Sequence, residues 1–120
     1  MMHFIQQLRE LSEGKPIGLK LCLGHKHEFL SICKTIPETG IYPDFISVDG
    51  AEGDTEAAPL EFSNWIGTPL TQSVTWVHNT LIGFGLRNHI KLVASSKVVT
   101  VFDIIRLICR EHMPVTAVGL

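Results

Sequence analysis

The feature that most constrains this chain is a two-part pattern that recurs three times between Ile17 and Cys109: a short strand-like run, then a longer stretch with apolar residues at helical spacing. The first run alternates, with Ile17, Leu19, Leu21 and Leu23 on one face and Gly18, Lys20 and Cys22 on the other. Behind it, Phe29, Ile32, Cys33 and Ile36 fit the i, i+3, i+4, i+7 template of a helix, which Pro37 and Gly40 are expected to close. The second run, Phe45 to Val48, ends at Asp49-Gly50. A loop to Pro59 and a bridge from Leu60 to Thr71 lead to a helix from about Gln72 to Leu86, with Val74, Val77, His78 and Leu81 inward. The third strand is Ile90 to Ser95. Thr100 then reads as a helix N-cap with Asp103 three residues on, and Ile105, Ile108 and Cys109 form the apolar side of a last helix. An amphipathic helix over Met2 to Ser12, with Phe4, Leu8 and Leu11 on one face, precedes the first unit. The tail from Val115 to Leu120 is short and apolar.

Strands alternating with helices imply an α/β fold with a parallel sheet and right-handed crossovers. The expectation is one helix followed by three parallel βα units. Periodicity does not separate an open sheet from an arc of a barrel. In either case ligands meet the carboxyl ends of the strands, which are Gly24, the loop from Asp49 to Glu56, and Ser95 to Lys97.

A length of 120 residues bounds the chain to one domain, and a net charge of -2 gives no electrostatic case for nucleic acid or an anionic membrane. No apolar run reaches the length of a membrane span, and no leader is expected in Met1 to Leu11. Cys22, Cys33 and Cys109 are odd in number, lack CxxC spacing and sit in apolar segments. They read as reduced core thiols of a cytoplasmic protein. Hydrophobic residues make up 45% of the chain, so part of its apolar surface is expected to meet a partner.

Chemistry concentrates at a few positions. An ammonium in the middle of a strand needs compensation, so Lys20 either faces a polar cavity with an anion or a carboxylate such as Asp49, or lies on an exposed edge strand. Gly50 and Gly53 allow close backbone approach, whereas Asp49, Glu52, Asp54 and Glu56 would repel a phosphate and lack the ordered spacing of a calcium loop. Ser95-Ser96-Lys97 suits either a phosphate at a helix N-terminus or an ordinary capped turn. His25 and His27 have no Cys or carboxylate at ligand spacing, so no metal site is expected. His78 reads as a core histidine.

Lys15 to Asp103 resembles the FMN-binding barrel of the glutamate synthase family. The runs that carry the likeness are KPIGLKLCLG (15–24), TGIYPDFISVDGAEG (39–53), AAPLEFSN (57–64), and KVVT followed by FDI (97–104). The resemblance implies the carboxyl-terminal part of a (βα)8 barrel holding FMN. Such proteins take electrons from ferredoxin or a nicotinamide nucleotide to form L-glutamate from 2-oxoglutarate and ammonia. By position, Lys20 and Asp49 are the expected catalytic residues, and Lys20, Gly50, Gly53, Thr55, Ser95, Ser96 and Lys97 the expected FMN-binding residues.

The sequence also departs from the family. Gly53-Asp54-Thr55-Glu56-Ala57 replaces Gly-Gly-Thr-Gly-Ala, Ser96 and Val101 replace glycines, and Pro37 interrupts a helix that relatives continue. The tail diverges after Ile104, so the last barrel strand is expected to be missing, as are the amino-terminal strands. The cysteines do not match the iron–sulfur spacing of full-length enzymes. The expectation is therefore a chain incomplete on its own, with open edges at the Ile17 and Ile90 strands that favour self-association or a complementing barrel chain. The alternatives are a non-catalytic remnant or packing subunit, and an unrelated open-sheet phosphate binder.

Overall fold

A computed structural model describes residues 1–50, 70–95, 101–109 and 115–119. The elements are α1 (Met2–Leu11), β1 (Gly18–Cys22), α2 (Lys26–Thr39), β2 (Phe45–Asp49), α3 (Leu70–Gly83), β3 (Lys91–Ser95), α4 (Val101–Cys109) and β4 (Val115–Gly119). All neighbouring strands are parallel, and their spatial order β1-β2-β3-β4 is the order of the chain. Right-handed crossovers between successive parallel neighbours put the described crossover helices α2, α3 and α4 on the same side of the sheet. The winding is that of an arc of a βα barrel, because a doubly wound sheet would reverse direction and cover both faces.

Burial follows that winding. Ile46 and Val48 of β2 and Leu92 and Ala94 of β3 are buried beneath the helices, together with Leu23 just beyond β1. The alternate residues Ser47, Asp49, Val93 and Ser95 are only partly covered. On the helical side, α2 contributes Phe29, Cys33 and Ile36, while α3 contributes Leu70, Val74, Val77 and Leu81. Each of these sets repeats at three- or four-residue spacing, which keeps one stripe of a helix against the sheet. α3 ends in a Schellman motif. Gly85 takes φ +70°, its N–H reaches Ile82 O at 2.9 Å, and the Leu86 N–H reaches Leu81 O at 2.8 Å.

The amino ends of the strands are fastened by one acidic residue. The Asp44 carboxylate accepts from the Ile17 N–H at 2.8 Å and from Arg9 Nη2 at 3.0 Å, and Arg9 Nη2 also donates to Tyr42 O at 2.7 Å. The Asp44 backbone adds Asp44 N–H to Ile17 O at 2.8 Å and accepts at its own carbonyl from the Lys91 N–H at 3.1 Å. One residue thereby joins α1 and the feet of β1, β2 and β3. Gly18 lets β1 sit close to β2: a Cβ there would lie 2.5 Å from both the Phe45 ring and the Phe45 carbonyl oxygen.

Four expectations need correction. The inward face of α1 is Met2 and Ile5, with Leu8 and Arg9 half-buried beside them, whereas Phe4 and Leu11 are exposed. The reason is the Arg9 anchor, since residues 2, 5 and 9 share a face and drawing the guanidinium to Asp44 turns Phe4 outward. Pro37 does not close α2, which runs on to Thr39 and ends at Gly40 with φ +68°. So near the carboxyl end, a proline costs the bond its missing N–H would have made and a clash with the carbonyl of the preceding turn, but little helix remains to be displaced. The tail is not merely a short apolar segment: Val115–Gly119 forms β4, so a strand follows the third βα unit. Finally, β3 is not an edge, because β4 pairs with it through Leu92↔Val115, Val93↔Ala117, Ala94↔Val118 and Ser95↔Gly119, with a bulge after the first pair.

Candidate functional site

Parallel register lines up the carboxyl ends of the strands. Cys22, Asp49, Ser95 and Gly119 form one row, and Lys20, Ser47, Val93 and Ala117 the row before it. Both rows belong to the sheet side opposite Leu21, Val48 and Ala94, hence opposite the helices. This face is polar at β1 and β2, with Val93 and Ser95 on β3 and the small residue types Ala117 and Gly119 on β4.

Lys20 and Asp49 meet on it. Lys20 Nζ lies 2.7 Å from Asp49 Oδ2, with the lysine side chain 61% exposed and the aspartate side chain 32% exposed. The lysine reaches past its register partner Ser47 to the next residue on the same face of β2. The Asp49 hydrogen bond, reinforced by the Asp49 charge, raises the Lys20 pKa above its ordinary value against a small opposing effect of burial. Lys20 is therefore a standing cation. A general base would need the opposite shift, so this ammonium can attract and orient an anion but is not poised to remove a proton.

The other expected site residues divide by location. Gly50 continues the ladder one step past β2, and its N–H donates to Ser95 O at 3.1 Å. Its backbone donor is thus engaged, and what it offers an approaching group is the space left by a missing side chain. Ser95 ends β3 in the same row as Asp49. Gly53, Thr55, Ser96 and Lys97 lie outside the described residues, as do Asp54, Glu56 and the Thr100 cap.

Reading the cysteines as core thiols holds for Cys33, whose burial pushes its thiol up to about 11, but not for Cys22, which is exposed. Strand alternation already placed Cys22 beside Lys20; only the apolar neighbours in sequence suggested a core position. Ser47 lies on the same face, opposite Lys20, as strand alternation requires. His78 is buried, with its Nδ1 accepting from Arg87 Nε at 3.0 Å, while Arg87 Nη1 bonds Ile90 O at 2.8 Å. It serves the core rather than the site. The His25 and His27 rings stack at 5.5 Å, and among the described residues no group of three or more His, Cys, Asp or Glu could hold a metal. Nor is any described helix long and apolar enough to cross a membrane.

Comparison with known proteins gives the family of the chain. The profile of a family described as a conserved region in glutamate synthase matches residues 1–109. The chain belongs to the glutamate synthase family. It is 37% identical over 100 residues to a glutamate synthase large subunit-like protein, YerD, of Bacillus subtilis, a match covering 83% of this chain and 19% of that protein. It is 28% identical over 107 residues to an archaeal glutamate synthase (NADPH) of Methanocaldococcus jannaschii, covering 86% of this chain and 20% of that protein. The chain thus spans about a fifth of the length of these curated relatives. The family match runs through α1 and all three βα units, so the face bearing Lys20 and Asp49 falls within the glutamate synthase region.

Proposed function

We propose that this chain forms one wall of a glutamate synthase site at which L-glutamate is made reductively from 2-oxoglutarate and ammonia. The observation that carries the reading is the Lys20–Asp49 pair, a fixed cation on the uncovered, carboxyl-terminal side of a parallel sheet. The donor set there fits FMN. Small residues at Ser47, Ser95 and Gly119 leave room against the sheet, and a standing ammonium suits either the electron-rich edge of a flavin or a substrate carboxylate. FMN, when bound, would supply the two electrons of the reduction.

The residues of the chain have separable roles in this reading. Lys20 would attract and orient the anionic group, and Asp49 would hold the lysine side chain and keep it protonated. Gly50 would admit the ligand close to the backbone, with Ser95 presenting a hydroxyl beside it. Gly53, Thr55, Ser96 and Lys97 would complete the phosphate end, and the cytoplasm would supply the electron donor, a nicotinamide nucleotide or ferredoxin. The share of the relatives that this chain spans supports a site completed by further barrel strands.

Titrating FMN into the purified chain, alone and co-expressed with a complement that supplies the further barrel strands, and following flavin fluorescence tests the proposal. Saturable quenching is expected, with affinity lowered roughly tenfold in Lys20→Gln, as a lost charge-assisted contact implies. Absence of saturable quenching by well-defined protein, or equal affinity in the variant, would sink it. A second reading, a non-catalytic subunit packing against other barrel parts, is favoured by the carboxylates of Asp54 and Glu56 where the family has glycines. Flavin binding gained only when glycine is restored at positions 54, 56, 96 and 101 would select that reading.

A further inference from the structure

We propose that Ser47 is a specificity-determining residue, its hydroxyl and the Lys20 ammonium together holding one carboxylate of the substrate. This assignment rests on the proposed function in one respect, the reading of the uncovered sheet face as a ligand site. Within that reading it names the group that meets the standing cation: a substrate carboxylate rather than the flavin edge.

Hydroxyls on the helices satisfy themselves. Ser12, Ser31, Thr35, Thr39, Thr75 and Thr80 each donate to a backbone carbonyl one turn back, at 2.8–3.2 Å. That carbonyl is within reach because a helix coils the chain back beneath each side chain, whereas a strand side chain stands away from its own backbone. Ser47 sits in the middle of β2, half-buried, and its hydroxyl has no hydrogen-bond partner among the described residues. It is left to bond whatever lies on the face.

Register decides its company. Lys20 and Ser47 are partners across the β1–β2 ladder, on one face and about 4.8 Å apart at the backbone. Val93 is the partner on the other side of Ser47. Lys20 Nζ reaches Asp49 Oδ2 at 2.7 Å, one residue nearer the strand ends on the same face. A group lying over Lys20, Ser47 and Val93 thus meets an ammonium and a hydroxyl side by side, an apolar wall beyond them and a carboxylate at the rim. A carboxylate suits this set, since its two oxygens accept from the two donors in one plane. It also brings a single charge. A phosphate dianion would set two charges against Asp49 for the one cation.

Threonine and valine have nearly the same shape and differ by the hydroxyl, so Ser47→Thr and Ser47→Val isolate it. Calorimetric titration of 2-oxoglutarate into the chain, co-expressed with its complement, should give an affinity about fivefold weaker for Ser47→Val than for Ser47→Thr. A lost hydrogen bond to a partly exposed charged group implies that much. Ser47→Val combined with Lys20→Gln should lose less than the product of the two separate losses, because both residues hold one group. Equal affinities of the threonine and valine variants, or losses that multiply in full, would overturn the proposal. FMN titration of the same samples reads the flavin site separately. Flavin binding without 2-oxoglutarate binding would overturn the carboxylate contact and leave the FMN site standing. The threonine–valine difference in protein that takes up no FMN would uphold the contact and remove the FMN site. Binding of neither ligand would overturn both.

Discussion

Replacing Asp44 by alanine would test whether one carboxylate fastens the foot of the sheet. Its side chain accepts the Ile17 N–H at 2.8 Å and the Arg9 guanidinium at 3.0 Å. A hydrogen bond to a charged group contributes about 1.5–3 kcal/mol net, and an exposed ion pair about 0–1 kcal/mol. The Asp44 side chain is 44% exposed. Screening therefore puts the amide bond at the low end and the pair near half a kilocalorie, about 2 kcal/mol in all. Asp44→Asn keeps an acceptor for Ile17 but not the charge, so it should lose about half as much. In urea unfolding at neutral pH, with a slope near 1.5 kcal/mol per molar, the alanine midpoint should fall by roughly 1.3 M.

The pH dependence adds a second readout. Burial pushes the Asp44 carboxyl up, but the Ile17 hydrogen bond and the Arg9 guanidinium outweigh it and hold the pKa below its ordinary value. A group depressed in the folded state stabilises it above the unfolded pKa, and that stability is lost as pH falls through the folded value. Stability of the unaltered chain should accordingly decline on the acid side, and Asp44→Asn should remove this group's share of the decline. An alanine variant within about 0.5 kcal/mol of the unaltered chain, equal losses for alanine and asparagine, or an unchanged acid limb would each refute the account.

Two further substitutions follow from the packing. Gly18→Ala should cost about 1–3 kcal/mol in the same unfolding assay, and adding Phe45→Ala should not rescue it, because the new methyl also meets the Phe45 carbonyl. In a Cys109→Ser background, maleimide should label Cys22 in the native protein at neutral pH. Cys33, fully buried and with its pKa pushed up to about 11, should react only on unfolding.

The first three strands were legible because alternation and flanking turns act within a few residues, and each appears within two residues of its expected bounds. The helices facing the sheet were legible for the same reason: Phe29, Cys33, Ile36, Val74, Val77, His78 and Leu81 all point inward as their spacing requires. Rotation of α1 was not. Its apolar stripe gave one answer, and a contact with Asp44, 35 residues away, gave another. β4 escaped because five residues ending in Val-Gly carry little periodicity, and pairing along Leu92 to Ser95 supplies what the local sequence does not. Of the candidate site, the Lys20–Asp49 meeting was foreseeable from a charge that needed a partner. The engagement of the Gly50 amide was not, since only register decides where a ladder stops.

Strand register also orders the assembly of the chain in time. β1 finds β2 across the interval from Leu19 to Ile46, and β3 finds β4 from Leu92 to Val115, whereas β2 reaches β3 only by closing the chain from Ile46 to Leu92. The longer closure adds only about 0.5 kcal/mol to the entropy cost. It must nevertheless be met before any contact between the two halves repays it. Each outer pair can collapse on its own helix first, leaving the Asp44–Lys91 and Gly50–Ser95 backbone bonds to form late as the halves come together. The centre of the sheet, its best-buried part once folded, is thus expected to be the seam joined last, with the Gly50 and Lys91 amides gaining protection after those within the outer strand pairs in pulse-labelled refolding.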